Sequence, residues 1–116
     1  MASDSEFISA ADAALAAIGD ALDRAQDEAD ADLDWHLNDG ILEIECEDGS
    51  KLIVNRHVPY REIWVAARSG GFHFRGEGGA WRDTRGGTEL GDALAALLRA
   101  QAGLDIALPA LPPPPA

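Results

Sequence analysis

Basic residues are almost absent from the first 48 positions of this chain, where Arg24 is the only one. The same stretch holds 15 of the 21 acidic residues, whereas the rest of the chain holds 6 acids and 8 bases. Crowded carboxylates repel one another and folding does not require them, so the cluster indicates a cation, a basic partner or a need for solubility. The net charge of −12 argues against nucleic acid and anionic membrane surfaces as partners, because both would repel it.

Cysteine and long apolar runs are also scarce. The single cysteine, Cys46, excludes an internal disulfide and a cysteine-cluster metal site. No apolar run approaches the roughly 20 residues that span a bilayer. The acidic start MASDSEF lacks the basic residues and the apolar stretch of a signal peptide. We therefore expect one soluble, cytoplasmic domain, since 116 residues suffice for a single core.

The first predicted element is a helix with one apolar face and one acidic face. Ser3 and Glu6 have the spacing of a capping box, which predicts where this helix begins. Apolar residues then recur at steps of three and four, at Ile8, Ala11, Leu15, Ile18 and Leu22. At about 100° per residue, four aspartates fall away from that stripe: Asp12, Asp20, Asp23 and Asp27.

After Asp32 a period of two residues predicts strands. In the run ILEIECE, Leu42, Ile44 and Cys46 point one way and the three glutamates point the other. Asp39-Gly40 and Asp48-Gly49 are hairpin turn signals that join the first three strands. EIWVAAR, FHF and AWRD provide three further strand candidates. Consecutive strands with tight turns predict an antiparallel sheet.

The C-terminal part of the chain predicts a second helix and a tail. Thr88 is the expected N-cap and Gly103 the expected end of a helix whose apolar face is formed by leucines. The segment LPALPPPPA is polyproline-like, so we expect a domain over residues 1–108 and a disordered tail over 109–116. The order helix, sheet, helix predicts an α+β fold. It is a two-layer α/β sandwich with both helices on one face of an antiparallel sheet of five to six strands.

The motifs, taken in order, resemble the bacterial frataxin family. The resemblance lies in SEF at the start of an acidic helix, NDGILEI, EDGSKLIVNR, P-x-x-x-IW and GGFHF followed by Trp81, and it covers about residues 3–106. It implies a frataxin-like α-β-β-β-β-β-α sandwich, sometimes with one further strand. It also implies weak iron binding and a regulatory role in iron–sulfur cluster assembly, through docking on the cysteine desulfurase.

The resemblance also implies a site, which we call the acidic ridge. Its members, the expected metal ligands, are Asp20, Asp23, Asp27, Asp32, Asp34, His36 and Glu47. Gly19 and Arg24 stand where the family commonly has acids, and His36 replaces a further acid. Carboxylate oxygens suit ferrous and ferric iron but also calcium, magnesium and manganese, so binding should be weak and poorly selective.

The expected partner contacts lie on two surfaces. Asp20 and Asp23 of the ridge should attract the basic surface of the desulfurase. On the open face of the sheet, Asn55 and Trp64 match family positions that contact the assembly machinery, either the desulfurase or the scaffold protein, and Arg68 should lie beside them. Without a partner, Trp64 would be shielded by cation–π stacking with Arg56 or Arg68. The resemblance implies a monomer in the absence of metal.

Two rival functions stay open at the level of sequence. The first is an iron chaperone with ferroxidase activity, in which paired ridge carboxylates assist ferrous oxidation. The second is an acidic interaction module that never meets metal. Nothing in the sequence arranges a nucleophile with a base and its orienting group, so we expect no covalent catalysis.

Overall fold

The computed structural model describes residues 3–115 and has two helices packed on one six-stranded sheet. The elements are α1 (Asp4–Ala29), β1 (Leu33–Asn38), β2 (Ile41–Cys46), β3 (Lys51–His57), β4 (Glu62–Ala67), β5 (Gly70–Glu77), β6 (Ala80–Asp83) and α2 (Leu90–Ala102). The strands are antiparallel and adjacent in chain order, so β1 and β6 are the edges. One core joins the buried faces of both helices to one face of the sheet. The predicted two-layer α+β sandwich is confirmed.

Helix α1 begins as the sequence predicts. The Ser3 hydroxyl accepts a hydrogen bond from Glu6 N at 3.2 Å, and Ser3 N donates to Glu6 Oε1 at 3.2 Å. The stripe from Ala11 to Leu22 is buried, and Phe7, which the periodicity missed, packs edge-to-face on Trp81 with ring centroids 6.0 Å apart. Neither helix within residues 3–115 is long and apolar enough to cross a membrane.

The first hairpin is a two-residue turn of the predicted kind. Asp39 and Gly40 both have positive φ, 49° and 76°, which matches the twist of the flanking strands. The second connection is longer than a two-residue turn, because residues 47–50 separate β2 from β3. Both connections are short, so β1, β2 and β3 are tightly held neighbours.

Helix α2 begins one residue later than predicted. Its N-cap is Glu89, whose carboxylate accepts from Gly91 N at 2.9 Å and from Asp92 N at 3.2 Å. The prediction of Thr88 is wrong because its carbonyl accepts from Asp83 N at 2.8 Å, which fixes Thr88 to the end of β6. Tertiary pairing thus overrides the usual preference for threonine at this position.

The proline-rich segment packs on the domain, which differs from the predicted disordered tail over 109–116. Leu111 lies against the core, and Trp81 Nε1 donates to the Pro112 carbonyl at 3.1 Å. Pro114 lies over Gly76, where an added Cβ would be 2.6 Å from the proline Cβ. The buried indole N–H needs an acceptor, and the tail supplies it. The expectation that nothing packs beyond Leu108 is therefore wrong for residues 111–114.

Asp48 ties the β2–β3 connection to Arg68, the first residue after β4. Its Oδ1 accepts from Ser50 Oγ at 2.6 Å and from Ser50 N at 2.9 Å, and its Oδ2 accepts from Arg68 Nη2. The Ser50 hydroxyl and then the Arg68 guanidinium stabilise the ionised form, so the pKa of Asp48 lies well below its usual range. Arg68 is therefore held at the end of the sheet.

Truncation after Leu108 should lower the free energy of unfolding by about 2 kcal/mol, because it removes the acceptor of Trp81 Nε1 and the packing of Leu111. Urea denaturation measures this change. Removal of residues 115–116 alone is the control and should have little effect. Equal stability of the two truncated chains would contradict the packed tail.

Asp48→Asn should lower the urea midpoint at neutral pH, and the difference from the wild type should shrink in acid. The folded-state pKa of Asp48 is depressed, so its contribution is present above the unfolded pKa of about 3.9 and is lost as the pH falls towards the folded value. Urea midpoints at neutral pH and at successively lower pH below about 4 test this. Glu77→Gln, an exposed carboxylate on β5, is the control. A difference that does not vary with pH would contradict the prediction.

Candidate metal- and partner-binding surface

Helix α1 presents three aspartates of the acidic ridge to solvent. Asp20, Asp23 and Asp27 are exposed because they lie away from the stripe that packs on the sheet. Among residues 3–115, none of the ion pairs involves any of the three. No arginine or lysine among residues 3–115 thus forms a close ion pair with these three aspartates.

Strand β1 carries the ridge onto the other side of the sheet. Leu33 is buried and Trp35 is half-buried beneath α1, so the alternate residues Asp34 and His36 point to the open face. Asp32, just before the strand, is exposed. The helix aspartates and the strand residues therefore lie on opposite sides of one sheet edge.

Glu43 and Glu45 of β2 extend the acidic surface across the open face, beside the ridge residues of β1. Asp34 lies opposite Glu45 in the strand register, and Glu47 is exposed just after β2. Glu43, which is not among the predicted ridge residues, lies opposite His36, with 3.2 Å between Oε2 and the histidine Nε2. The turn at residues 39–40 fixes the β1–β2 register, and that register places Glu43 opposite His36. Glu43 could therefore have been predicted from the sequence.

Glu43 is the partly neutralised member of this surface. Its Oε1 pairs with Lys51 Nζ, and that hydrogen bond is the main reason why the pKa of Glu43 is lowered. The same contact raises the pKa of Lys51. His36 is therefore engaged with a carboxylate, so a cation at His36 would compete with this contact.

Trp35 explains why residue 19 is a glycine. An added Cβ at Gly19 would lie 2.7 Å from Cη2 and Cζ3 of the indole, so any acid there would displace the ring. Trp35 Nε1 also donates to Asp23 Oδ1 at 2.9 Å. The helix part of the ridge thus lacks one carboxylate, and Asp23 has one oxygen already engaged.

The ridge is an open array of ligands. Within residues 3–115, no group of three or more His, Cys, Asp or Glu side chains lies close enough to hold a metal ion in one site. Separate exposed carboxylates can still bind a hard cation through one or two oxygens while water completes its shell. These residues therefore fit weak and exchangeable binding, and they do not fit a closed structural metal site.

On the open face, Trp64 is stacked between two histidines. The centroid of its ring system is 3.6 Å from that of His57 and 4.3 Å from that of His73, with interplanar angles of 8° and 10°. Trp64 Nε1 donates at 2.9 Å to Glu62, which is 2% exposed and also accepts from Arg75 Nη2 at 2.6 Å. These contacts cover both faces of the indole.

The predicted stacking of Trp64 on Arg56 or Arg68 is wrong. Arg56 points to the helix side, where it pairs with Asp12 and Asp39, and Arg68 pairs with Asp48. Asn55 and Trp64 lie directly opposite each other in the β3–β4 register, so their side chains are neighbours on the open face. Arg68 does not join them, because it lies beyond the end of β4.

Comparisons with known proteins agree with this fold. The model of the frataxin-like domain matches residues 1–104. The iron-sulfur cluster assembly protein CyaY of Dechloromonas aromatica is 55% identical over 106 residues, which cover 90% of this chain and 97% of the relative. The CyaY protein of Cupriavidus metallidurans is 48% identical over 106 residues, covering 91% and 96%.

Solved structures of frataxins have the same fold. Frataxin from Psychromonas ingrahamii superimposes with a TM-score of 0.78 at 31% identity and covers 93% of this chain and 99% of its own. Trimeric yeast frataxin complexed with ferrous iron has a TM-score of 0.70 at 27% identity and covers 81% and 86%. Since the family model spans most of the chain, and relatives about half identical cover nine-tenths of it, the chain belongs to the frataxin-like domain family.

Proposed function

We propose that this protein is an iron-binding accessory and regulatory protein of iron–sulfur cluster assembly that docks on the cysteine desulfurase through the acidic ridge. The observation that carries the proposal is the exposure of the ridge aspartates, which form no ion pair within residues 3–115. Relatives named as iron-sulfur cluster assembly proteins support the process, and the yeast frataxin complexed with ferrous iron supports the metal.

Iron is cargo or effector in this proposal and is weakly held. Hydrated ferrous or ferric ions bind to the exposed oxygens of the ridge, because hard oxygen ligands and high local negative charge favour small multivalent cations. Asp20, Asp27 and Asp32 offer both carboxylate oxygens, whereas Asp23 shares one with Trp35. The protein's part is to concentrate the ion and to release it readily.

Docking uses the same charges. A basic groove of the desulfurase is drawn to the ridge by long-range attraction, which screening limits to about 8–10 Å at physiological salt. Cations and the desulfurase therefore compete for Asp20 and Asp23. Asn55 and Trp64 supply a second contact, to the desulfurase or the scaffold protein. The protein acts in the cytoplasm. Without metal it is a monomer, because like charges on two copies repel.

An acidic interaction module without metal is the second candidate function. The open array favours it, because within residues 3–115 no preassembled ligand group is present. Ferroxidase activity needs carboxylates that act together on ferrous iron, and oxygen uptake after ferrous addition would reveal it. We propose the non-enzymatic role because weak binding and charge-driven docking need only the exposed oxygens described above.

Replacing Asp20, Asp23 and Asp34 together by asparagine should weaken desulfurase binding about tenfold, at roughly 0.5 kcal/mol per exposed charge. Isothermal titration calorimetry measures the dissociation constant. The control is the triple variant Glu77→Gln, Asp92→Asn and Asp105→Asn, which changes net charge equally on other parts of the surface. Equal weakening by both triple variants would show a net-charge effect and would contradict docking through the ridge.

Titration with ferrous iron under anaerobic conditions, or with cobalt, should perturb amide NMR signals mainly over residues 20–36 and at Glu47. The same three asparagine substitutions should reduce the perturbation. The Glu77, Asp92 and Asp105 variant should titrate like the wild type. No perturbation at about millimolar metal would leave the metal-independent module as the function.

A further inference from the structure

The hydrogen bonds between β2 and β3 determine which backbone groups of β1 pair with β2 and which point outward from the sheet. Cys46 N donates to Ser50 O at 2.8 Å, and Arg56 N donates to Gly40 O at 3.0 Å. The even-numbered residues of β2 therefore bond to β3, since hydrogen bonds alternate along an antiparallel strand. The odd-numbered residues of β2 bond to β1.

Strand β1 consequently has an unpaired outer side. The β1 residues opposite the odd-numbered residues of β2 are Asp34, His36 and Asn38. The other residues of the strand, Leu33, Trp35 and Leu37, direct their N–H and C=O groups outward. Within residues 3–115, Leu33 O accepts from Gln26 Nε2, whereas the outward groups of Trp35 and Leu37 have no protein partner.

The two edge strands differ in how much of their outer backbone is hydrogen-bonded to the rest of the chain. At β6, Arg82 forms a bridge with Glu89, and Asp83 N donates to the Thr88 carbonyl. The residues that follow β6 thus cover that edge at Arg82 and Asp83. At β1, α1 lies over one face of the strand and covers only the Leu33 carbonyl. An uncovered edge is a template for another strand unless charge or shape prevents it.

Charge decides which strand the β1 edge can accept. Asp32 and Asp34 are exposed along β1, and Asp27 is exposed near the end of α1. The base nearest in the sequence is Arg24, and β1 itself contains no lysine or arginine. A second copy of this edge would bring aspartates against aspartates and be repelled, whereas a basic strand would be attracted.

A groove beside β1 supplies a place for apolar side chains. It has a volume of about 470 Å³ and lies between α1 and the end of β1. Ile8, Ala16 and Leu37 form its apolar lining, and Arg56, which pairs with Asp12 and Asp39, lines its other side. Leu37 is 36% exposed and is one of the few large apolar side chains left in water. In an added strand, residues opposite Trp35 and Leu37 would point towards this groove, and their neighbours would point to the Asp34 side.

From these features we propose that β1 binds an extended basic segment of a partner protein as an added antiparallel strand. In that segment lysine or arginine faces Asp34, and alternate aliphatic residues face Leu37 and the groove. Backbone hydrogen bonds supply affinity and the alternate side chains supply specificity. This inference names the binding mode of the docking proposed above and rests on it for the identity of the partner.

The probe is a nine-residue peptide in which lysine and valine alternate. Two N-methylated forms of it have the same charge and side chains. Methylation of the valine amides blocks the N–H groups that face β1, whereas methylation of the lysine amides blocks those that face away. We expect the valine-methylated peptide to bind at least tenfold more weakly than the lysine-methylated one. Equal binding of the two forms would overturn the proposal.

Leu37→Pro tests the same contact from the side of the protein. Proline is tolerated on an edge strand where the N–H faces solvent, so the fold should persist while the outward donor is lost. Leu37→Ala is the matched control, because it loses the side chain and keeps the N–H. We expect the proline variant to bind the lysine-methylated peptide at least tenfold more weakly than the alanine variant, and bound peptide to slow hydrogen exchange at the Trp35 amide. Equal affinities, or dimerisation of the chain through β1, would overturn strand addition.

The same variants separate this inference from the proposed function. If desulfurase binding is lost in the ridge triple variant but is equal in the proline and alanine variants, docking through the ridge stands and strand addition fails. If the ridge variant binds the desulfurase like the wild type, the proposed docking fails whatever the peptide does. Strand addition is supported when the proline variant loses both peptide and desulfurase relative to the alanine variant.

Discussion

The packing of Leu33 and Trp35 beneath α1 is the constraint on which the rest of this surface depends. Because strand residues alternate, burying these two side chains turns Asp34 and His36 to the open face. The apolar stripe of α1 that covers them leaves Asp20, Asp23 and Asp27 in water. One packing arrangement thus places carboxylates on both sides of a single sheet edge.

The cost of this arrangement is small because the acids stay solvated. Two unit charges 4 Å apart interact by about 1 kcal/mol in water, and salt reduces this further. The free energy gained by burying the core that joins both helices to the sheet exceeds the cost of several such repulsions. Binding of a cation or a basic strand relieves them, so the same charges that oppose folding slightly favour association. The acidic ridge is thus tolerated by the fold and useful to a partner.

Local patterns predicted most of the fold because they act over a few residues. The capping box at Ser3, the turn at Asp39-Gly40 and the period-two strands depend on neighbours in sequence and were found from sequence alone. Exposure of the ridge aspartates followed from the helical period and from the family resemblance. The order of the strands needed only short turns between them.

Contacts between distant positions were the part that sequence could not predict. The tail packs because the buried indole of Trp81 needs the Pro112 carbonyl, 31 positions away. Trp64 lies between His57 and His73 because β3, β4 and β5 are adjacent, which makes the expected arginines unnecessary. Register also brought Glu43 to His36, and the fold brought Trp35 to Asp23. Each of these depends on a side chain supplied by another element.

The most direct test of the electrostatic account is the rate of association with the cysteine desulfurase as a function of salt. Stopped-flow measurements between about 0.02 and 0.5 M salt cover the range in which the screening length falls from about 20 Å to about 4 Å. The account predicts that the association rate constant falls at least tenfold over this range while the dissociation rate constant changes little. An association rate constant that does not vary with salt would contradict it.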